Sequence, residues 1–235
     1  MRLGDFRVLS FDCYGTLIDW ESGIHAALQP LLARVNPALS RDAALEAFAR
    51  EESAQERETP GMLYPEVLAQ VYRRLAAGWG VSDAGAEEFG RSVKDWPAFP
   101  DSADALRALK DRYRLVILSN VDRESFEHSR RRLQVSFDEV CTAQDVGSYK
   151  PDPANFAYLL AKVEGMGFGK ADLLHVAQSL FHDHAPAKAC GLATAWIDRR
   201  QSQGWGATVP PPADVSYDFR FAGLAEMVEA ARRGP

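Results

Sequence analysis

Four polar segments of the sequence each follow an apolar run, and each contains residues that could take part in catalysis. Asp12 follows "VLSF", Ser119 and Asn120 follow "LVIL", Lys150 lies in "GSYKPDP", and Asp183 lies in "AQSLFHDH" after "LLHV". A carboxylate can act as a nucleophile, and a nearby lysine ammonium keeps a carboxylate ionised. If folding brings these segments together, they form a site for nucleophilic chemistry.

The apolar runs before these residues alternate with helical patterns, which is typical of an α/β protein with a doubly wound, Rossmann-like parallel sheet. The predicted strands are 6–11, "RLVILS", "FDEV", "LLHVAQ", "ATAWI" and "YDFRF", and the predicted core helices are 102–111, 123–133, 153–164, 183–190 and 222–232. Ligands of such sheets bind beyond the carboxyl ends of the strands, which is where the four polar segments fall.

An all-helical segment interrupts this alternation directly after the first strand. Its apolar periodicity predicts helices near 22–34, 41–53, 63–77 and 83–94, with breaks at "VNPALS", "ETPG" and "GWGVSD". We therefore expect a core domain formed by residues 1–19 and 98–235, with an inserted helical cap at residues 20–97. The crossing points at 18–20 and 98–100 predict a hinge.

The composition disfavours several classes of function. The 235 residues are 46% hydrophobic, which is sufficient for a sizeable core, and the net charge of −6 provides no general attraction to nucleic acids or anionic membranes. No apolar run approaches the roughly 20 residues of a membrane-spanning helix. Three cysteines without paired spacing and an N-terminus unlike a signal peptide predict a cytoplasmic protein. The Pro- and Gly-rich segment 201–216 is predicted to be a surface loop.

In their order along the chain, "FDCYGTLIDW", "LVILSN", "SYKPDP" and "HVAQSLFHDH" resemble the four motifs of the haloacid dehalogenase superfamily. The catalytic residues that this resemblance implies are Asp12, Thr16, Ser119, Asn120, Lys150 and Asp183. Asp12 would attack the substrate and form a covalent aspartyl intermediate, while Thr16 would orient it. Ser119 and Asn120 would bind substrate oxygens, and Lys150 would keep Asp12 ionised.

Tyr14 distinguishes this chain from the phosphatases of the superfamily. Those enzymes usually have a second aspartate two residues after the nucleophile, which protonates a departing alkoxide. A phenol, with a pKa of about 10, is a poor substitute. The fourth motif also provides only Asp183 as an acidic ligand, so we expect no metal and no cofactor. His182 and His184 are interpreted as a hydrogen-bonded structural pair.

Tyrosine at this position is shared with the 2-haloacid dehalogenase branch, in which the carboxylate displaces a halide from the carbon beside a substrate carboxylate. The substrate-binding residues predicted on this basis are Tyr14, Trp20, Arg50, Phe181 and His182. Tyr14, Trp20 and Phe181 would form an apolar wall around the nucleophile. Arg50 would bind the substrate carboxylate, and Arg57 and Arg41 are the other candidates for that role.

The chain departs from the dehalogenase pattern in two places. Leu180 replaces the asparagine of a Ser-Ser-Asn run, and Phe156 replaces a tyrosine. In contrast, "FDCYGTLIDWESG", "ETPGMLYPE", "WPAFPD" and "AQDVGSYKPDP" look more like the enzymes of this branch that open the ring of (S)-azetidine-2-carboxylate. Asp19, Trp20 and Glu21 are candidates to contact the ring ammonium.

The sequence thus predicts a hydrolase that displaces a leaving group from an sp³ carbon of a small carboxylic acid through an aspartyl ester. Ring opening and dehalogenation both remain open. The alternatives are a Mg²⁺-dependent phosphatase and a noncatalytic small-ligand-binding protein. The expected partner is a small carboxylate substrate, without nucleic acid or membrane, and a homodimer is left open.

Overall fold

The computed structural model describes residues 1–201, 207–211 and 215–233. At its centre is a parallel sheet with the strand order β3-β2-β1-β4-β5-β6. The strands are β1 Val8–Phe11, β2 Arg114–Ser119, β3 Glu139–Thr142, β4 Leu173–Ala177, β5 Ala193–Ile197 and β6 Phe219–Phe221. The predicted α/β class with a doubly wound parallel sheet is confirmed.

The two central strands consist of apolar runs because both of their faces are covered. Every residue of β1 and β4 is buried, as expected for interior strands of a parallel sheet. Phe11, the last residue of β1, lies opposite Ile117 of β2 and Val176 of β4. The residues that follow these strands therefore emerge at one edge of the sheet.

Four helices follow β1 and form the inserted segment: α1 Trp20–Leu32, α2 Arg41–Glu58, α3 Tyr64–Gly78 and α4 Ala86–Gly90. A 3₁₀ turn at Ser92–Asp95 takes the place of the second half of the helix predicted at 83–94. Gly90 allows close packing there, because a Cβ atom at this position would lie 2.5 Å from the carbonyl oxygen of Pro65. Helix α2 is longer than predicted, since the polar residues after Phe48 and Ala49 continue the helix.

The remaining helices cover the two faces of the sheet. They are α5 Ser102–Lys110, α6 Arg123–Leu133, α7 Ala143–Val146, α8 Pro153–Gly165, α9 Ala185–Ala189 and α10 Leu224–Arg233. Leu9 and Phe11 belong to the apolar cluster that includes residues of α5, α6 and α10, and Val8 belongs to a second cluster with residues of α8 and α9. The alternating side chains of β1 therefore contribute to both layers.

The two segments that join the helical insert to the sheet lie side by side. The Asp19 N–H donates to the carbonyl oxygen of Pro97 at 2.8 Å, and the Phe99 N–H donates to that of Leu17 at 3.0 Å. Ile18 and Ala98 form an antiparallel bridge between them. These contacts occur at the crossing points expected from the sequence, whereas the exact division at residues 1–19, 20–97 and 98–235 stays a prediction.

Part of the predicted loop at 201–216, namely residues 202–206 and 212–214, lies outside the described residues. Within the same segment, Ala207 and Thr208 are buried, so the prediction of a surface loop is wrong for these two residues. In the part of the chain that the structure describes, no helix is long and apolar enough to cross a membrane.

Candidate active site

Asp12 directly follows β1 at the carboxyl edge of the sheet, and its side chain is only 8% exposed. The Thr16 hydroxyl donates to Asp12 Oδ2 at 2.6 Å, and Lys150 Nζ donates to Asp12 Oδ1 at 2.9 Å. Gly15 has a φ of 90°, a conformation that favours glycine, and it allows the chain to turn so that Thr16 returns to Asp12. Thr16 Oγ1 also accepts the Gln178 N–H at 2.9 Å, which directs its own proton toward Asp12.

Lys150 is buried and shared by two carboxylates. Its Nζ donates to Asp12 Oδ1 at 2.9 Å, to Asp183 Oδ1 at 2.7 Å and to the carbonyl oxygen of Leu118 at 3.1 Å. These three contacts use all three protons of the ammonium. Burial lowers the pKa of Lys150, but Asp12 and Asp183 together raise it above its ordinary value, so the side chain stays charged.

The two carboxylates differ in their acidity. Burial raises the pKa of Asp183, but Lys150 and His175 outweigh burial and hold that pKa well below its usual range. Burial also raises the pKa of Asp12, and there the opposing effects of Lys150 and Thr16 are insufficient to lower it below the ordinary value. Asp183 therefore keeps its charge to lower pH than Asp12 does.

His175 is a buried partner of Asp183 that sequence reasoning missed. Its Nε2 lies 2.9 Å from Asp183 Oδ1, and its Nδ1 lies 2.8 Å from the Ser10 hydroxyl oxygen. The pairing of β1 with β4 places Ser10 directly opposite His175. Because Asp183 Oδ1 already contacts Lys150 and His175, Asp183 Oδ2 is left buried without a hydrogen-bond partner among the described residues. A single histidine in an apolar strand gives no signal of this contact.

Asn120 holds the backbone of Lys150 in place. The Lys150 N–H donates to Asn120 Oδ1 at 2.7 Å, and Asn120 Nδ2 donates to the Lys150 carbonyl oxygen at 3.1 Å. Asn120 also lies on the wall of the cavity that contains Asp12. Ser119, in contrast, is buried beside it and does not line that cavity, so its predicted contact with substrate is not supported by the geometry.

One cavity brings most of the predicted site residues together. Those on its wall are Asp12, Tyr14, Trp20, Asn120, Lys150, His182 and Asp183. The wall residues that the sequence did not indicate are Glu52, Glu56, Tyr64, Gln178, Ser179 and Thr208. The cavity thus lies between the carboxyl edge of the sheet and the first helices of the insert.

Tyr14 presents its ring to the cavity and its hydroxyl group elsewhere. The hydroxyl oxygen lies 2.9 Å from Ser129 Oγ on α6, and the ring packs against Tyr64 and against the edge of Trp96. Burial raises the pKa of Tyr14 well above its ordinary value, so the phenol stays neutral. Tyr14 is therefore placed as an aromatic wall and not as the acid of a phosphatase.

Helix α2 contributes two buried carboxylates to the same cavity. Glu52 accepts a hydrogen bond from the Tyr64 hydroxyl at 2.6 Å, and Asn120 Nδ2 lies 3.5 Å from both carboxylate oxygens of Glu56. Burial raises the pKa of Glu52 to about 8, and burial together with Glu52 raises the pKa of Glu56. Their only signal in the sequence is a spacing of four residues, which puts both on one face of a helix.

The structure places three of the predicted contact residues away from the wall of this cavity. Arg50 is exposed and pairs with Glu51, so it does not reach the cavity. Phe181 lines a neighbouring cavity with Arg57 and does not line the one that contains Asp12. Asp19 instead accepts the Ser22 N–H and caps α1.

The remaining candidates are Glu21 on α1, Arg41 on α2 and the two histidines, and each of them contacts another group of the protein. Glu21 pairs with Arg200, and Arg41 donates to the Ser22 hydroxyl. His182 lies next to the Ser179 hydroxyl, whereas His184 Nε2 contacts the carbonyl oxygen of Ala177. The expected bond between the two histidines is thus replaced by two separate contacts.

The side chains present do not fit a magnesium ion. Among residues 1–201, 207–211 and 215–233, no group of three or more His, Cys, Asp and Glu side chains could hold a metal ion. Asp12 and Asp183 are both bound to the Lys150 ammonium, and Tyr14 has no charge to offer. We therefore derive no chemical step through a metal.

Comparison with solved structures identifies the same architecture elsewhere. The L-2-haloacid dehalogenase RSc1362 is 24% identical, with 97% of this chain and 99% of that chain covered and a TM-score of 0.78. The L-2-haloacid dehalogenase from Xanthobacter autotrophicus with chloropropionic acid covalently bound is 18% identical, with coverage of 98% and 100% and a TM-score of 0.78. Magnesium-bound YfnB from Bacillus subtilis is 20% identical, with coverage of 99% and 100% and a TM-score of 0.76.

At these identities the likeness is one of fold, and a search of curated proteins gave no significant match. The family assignment comes from the sequence itself. Residues 6–191 match the model of the haloacid dehalogenase-like hydrolases, which is more than half of the chain. The chain therefore belongs to the haloacid dehalogenase-like hydrolase family.

Proposed function

We propose that this protein is a metal-independent hydrolase that displaces a leaving group from an sp³ carbon of a small carboxylic acid. The observation that supports this most directly is the pairing of Asp12 with Lys150 and Thr16 in a cavity where Tyr14 occupies the position of a phosphatase acid. A buried carboxylate with few water contacts is a stronger nucleophile toward carbon than a fully hydrated one, although the framing of this effect is contested.

In the first step, an oxygen of Asp12 forms a bond to the substrate carbon while the bond from that carbon to the leaving group breaks. The leaving group departs with the bonding electron pair, as a halide ion or as the amine of an opened ring. Neither group needs a proton from the enzyme, because a halide leaves as an anion and the ring nitrogen already holds its proton. This agrees with Tyr14 being a neutral phenol directed away from the cavity.

In the second step, water attacks the carbonyl carbon of the aspartyl ester and releases a hydroxy acid that contains an oxygen atom from Asp12. Asp183 belongs to the wall of the cavity, and its Oδ2 has no hydrogen-bond partner among the described residues, so it can accept a hydrogen bond from this water. Lys150 holds the other oxygen of Asp183 and stabilises negative charge on Asp12 as the ester is broken.

The leaving group is a halide or a ring amine in this proposal, as in L-2-haloacid dehalogenation or the opening of (S)-azetidine-2-carboxylate. The fold neighbours favour the first reaction, since one of them is a dehalogenase with chloropropionic acid covalently bound. The motif resemblance of the sequence favours the second.

A substrate panel tests the proposed reaction against the phosphatase alternative. The panel contains L-2-chloropropionate, fluoroacetate, (S)-azetidine-2-carboxylate and p-nitrophenyl phosphate, each assayed with EDTA and with Mg²⁺. We expect turnover of at least one carboxylic acid in EDTA. Phosphate release that depends on Mg²⁺, without turnover of any carboxylic acid, would establish the phosphatase alternative instead.

A single turnover in ¹⁸O-water tests the covalent step. The oxygen atom incorporated into the first product should be unlabelled because it comes from Asp12, and Asp12 should gain the label. The Asp12→Asn variant should lose turnover by at least about 10³-fold, as expected for removal of a nucleophile. Turnover that survives this substitution would contradict the assignment, and the absence of all turnover in the wild type would favour a noncatalytic protein.

A further inference from the structure

We propose that Glu52, Glu56 and Tyr64 form a binding site for a substrate ammonium group, so that the natural substrate is a small zwitterion with both an amine and a carboxylate. This inference rests on the proposed function, because it places the ammonium in the cavity that contains Asp12. It specifies the substrate class: an amino acid or cyclic imino acid in place of a simple haloacid.

The first support is the environment of the two glutamates. Both belong to α2 and are at least nine-tenths buried, with exposed fractions of 5% for Glu52 and 7% for Glu56. Glu52 receives one good hydrogen bond from Tyr64, but Glu56 has only two long contacts of 3.5 Å from Asn120. Buried carboxylates normally have close donors or a cation. Glu56 can therefore accept hydrogen bonds from a ligand.

The second support is the charge of the cavity wall. Lys150 is the sole lysine or arginine on that wall among the described residues, and its three protons are already donated. Residues 202–206, 212–214 and 234–235 contain neither lysine nor arginine. Burial lowers the pKa of His182 to about 4, so this side chain is neutral at pH 7. A substrate that contains only a carboxylate would find no lysine or arginine with a free proton on the described part of this wall, whereas a zwitterion supplies its own cation.

The third support is an unpaired polar atom of a residue on the same wall, Asp183 Oδ2. Asp183 is 1% exposed and lines the cavity, and its Oδ2 has no hydrogen-bond partner within the described part of the chain. An acceptor of this kind calls for an occupant with hydrogen-bond donors. An ammonium group supplies such donors, as does the water of the second step, while a halide and a carboxylate supply none.

The aromatic side chains of the wall suit the same ligand. Tyr14, Trp20 and Tyr64 line the cavity, and the rings of Tyr14 and Tyr64 are stacked with centroids 6.5 Å apart. Aromatic faces attract ammonium groups through their quadrupole, especially where water is excluded. A wall that contains both carboxylates and aromatic rings therefore favours a cationic ligand over an anionic one.

Proton release provides a direct signature of this site. Burial raises the pKa of Glu52 to about 8 and, together with Glu52, raises that of Glu56. The cations that face Glu56 are Lys150 and Arg57, and neither balances its burial. An ammonium bound beside the pair stabilises the ionised carboxylates. Binding near pH 7 should therefore release protons to the buffer.

Matched pairs of ligands test the inference by isothermal titration calorimetry. L-Proline is compared with cyclopentanecarboxylate on the wild-type protein, and (S)-azetidine-2-carboxylate with cyclobutanecarboxylate on the Asp12→Asn variant. The members of each pair differ chiefly in the amine. We expect the amine-bearing acid of at least one pair to bind at least about tenfold more tightly, or about 1.4 kcal/mol. Its binding heat in phosphate and Tris buffers should differ because protons are released.

The variants Glu56→Gln and Glu52→Gln/Glu56→Gln keep the shape of the wall and remove its charge. The preference for the amine should fall in the first variant and disappear in the second. Glu46→Gln, which changes an exposed glutamate of the same helix, should keep the full preference. Thermal melting of each variant shows whether it is folded.

The result that overturns the inference is a cyclic acid without an amine that binds as tightly as its amine-bearing partner. Failure of every amine-bearing acid to bind, or a preference that survives the double substitution, also overturns it. These failures differ from failure of the proposed function. Haloacid turnover through Asp12 without amine selectivity would retain that function, whereas turnover by Asp12→Asn would refute it whatever the binding preference.

Discussion

At the centre of the cavity, a single ammonium group is shared by two carboxylates. Lys150 contacts Asp12 and Asp183 at 2.9 and 2.7 Å, and all three side chains are nearly inaccessible to solvent. Removal of one member of such a buried group leaves the others without compensation, which is far more costly than the loss of an exposed ion pair. Lys150 thus supports both the stability of the protein and the charge of Asp12, the proposed nucleophile.

Substitution of Lys150 by methionine tests this double role. We expect the free energy of unfolding to fall by about 3–5 kcal/mol at pH 7, because Asp12 and Asp183 lose their shared cation. Turnover should fall by at least about 10²-fold. Urea unfolding and steady-state kinetics measure the two effects. Lys162 is only partly buried and its Nζ lies 3.5 Å from Glu139 Oε2, so Lys162→Met provides a control with a more exposed ion pair. Equal stability of the two variants would contradict the argument.

Individual residues were predictable from the sequence when their chemistry and their place at a strand end agreed. Asp12 met both conditions, Lys150 and Asp183 lie in the segments that follow β3 and β4, and the structure brings the three together. Arg50 met only the first condition, because it lies within a helix and not at a strand end. The residues around it do not indicate which face of α2 it occupies. Glu56 was missed for the opposite reason: a glutamate in a charged segment is usually exposed to solvent, and here it is buried.

At the scale of elements, α2 shows why apolar periodicity underestimated the length of a cap helix. Its first half has the expected apolar face, with Leu45 and Phe48 in the core. Its second half buries the polar residues Glu52, Ser53, Gln55 and Glu56. A pattern of apolar residues cannot detect a helix face that packs against a polar cavity. The predicted end at residue 53 therefore fell near the start of the half of the helix that lines the cavity.

The burial of Glu52 on α2 predicts a specific dependence of stability on pH. Its pKa rises from 4.5 to about 8 on folding, so the folded protein binds more protons than the unfolded chain between these values. Stability should therefore decrease as the pH rises through this range, by at most about 1.4 kcal/mol per pH unit for one group. Glu52→Gln should make the decrease shallower, as measured by urea unfolding from pH 5 to pH 8.

The exposed Glu46 on the same helix supplies the control for this prediction. Glu46→Gln should show the wild-type dependence, because this side chain lies in solvent. Glu56 remains in both variants and is expected to keep part of the decrease. An unchanged slope in Glu52→Gln would show that Glu52 binds no additional proton in the folded state.

The pairing of β1 with β4 predicts a separate effect on the second step of the reaction. It places His175 between Ser10 and Asp183, which fixes the position of the Asp183 carboxylate on the wall of the cavity. His175→Phe should leave Ser10 and Asp183 each without one partner, at a cost of about 1–3 kcal/mol in stability. Hydrolysis of the aspartyl ester should slow more than its formation, so the covalent intermediate should accumulate.

Rapid quenching followed by mass spectrometry of the intact protein measures that accumulation. Ser10→Ala removes only the outer contact of His175 and should have a smaller effect. His128→Phe, at a half-buried position on α6, is the control for loss of an imidazole. Equal slowing of both steps in His175→Phe would contradict a role that acts through Asp183.

At the scale of the whole molecule, the alternation of elements was sufficient to predict the layered sheet. The order of the parallel strands places their carboxyl ends at one edge, so the four polar segments had to converge there. The position of the cap over the core could not be predicted in this way, because it depends on contacts between residues that are distant in the sequence. Examples are the ring of Tyr14 against that of Tyr64, and the Arg132 guanidinium that donates to the Lys94 carbonyl oxygen.

One contact between cap and core suggests how the cavity closes. The Tyr149 hydroxyl donates to the carbonyl oxygen of Met62 at 2.7 Å, which ties the segment before Lys150 to the loop between α2 and α3. The main chain itself passes between core and cap at the paired segments Leu17–Asp19 and Pro97–Phe99. If these segments act as a hinge, the tyrosine bond stabilises the closed arrangement.

Tyr149→Phe is therefore expected to weaken closure without removing a group that lines the cavity around Asp12. A hydrogen bond of this kind contributes about 0.5–1.5 kcal/mol, so KM should rise by up to about tenfold while kcat changes less. Tyr158→Phe, on the surface of α8, should leave both constants unchanged. Small-angle scattering with and without substrate measures closure directly, and an identical cap position in the two states would rule out the hinge.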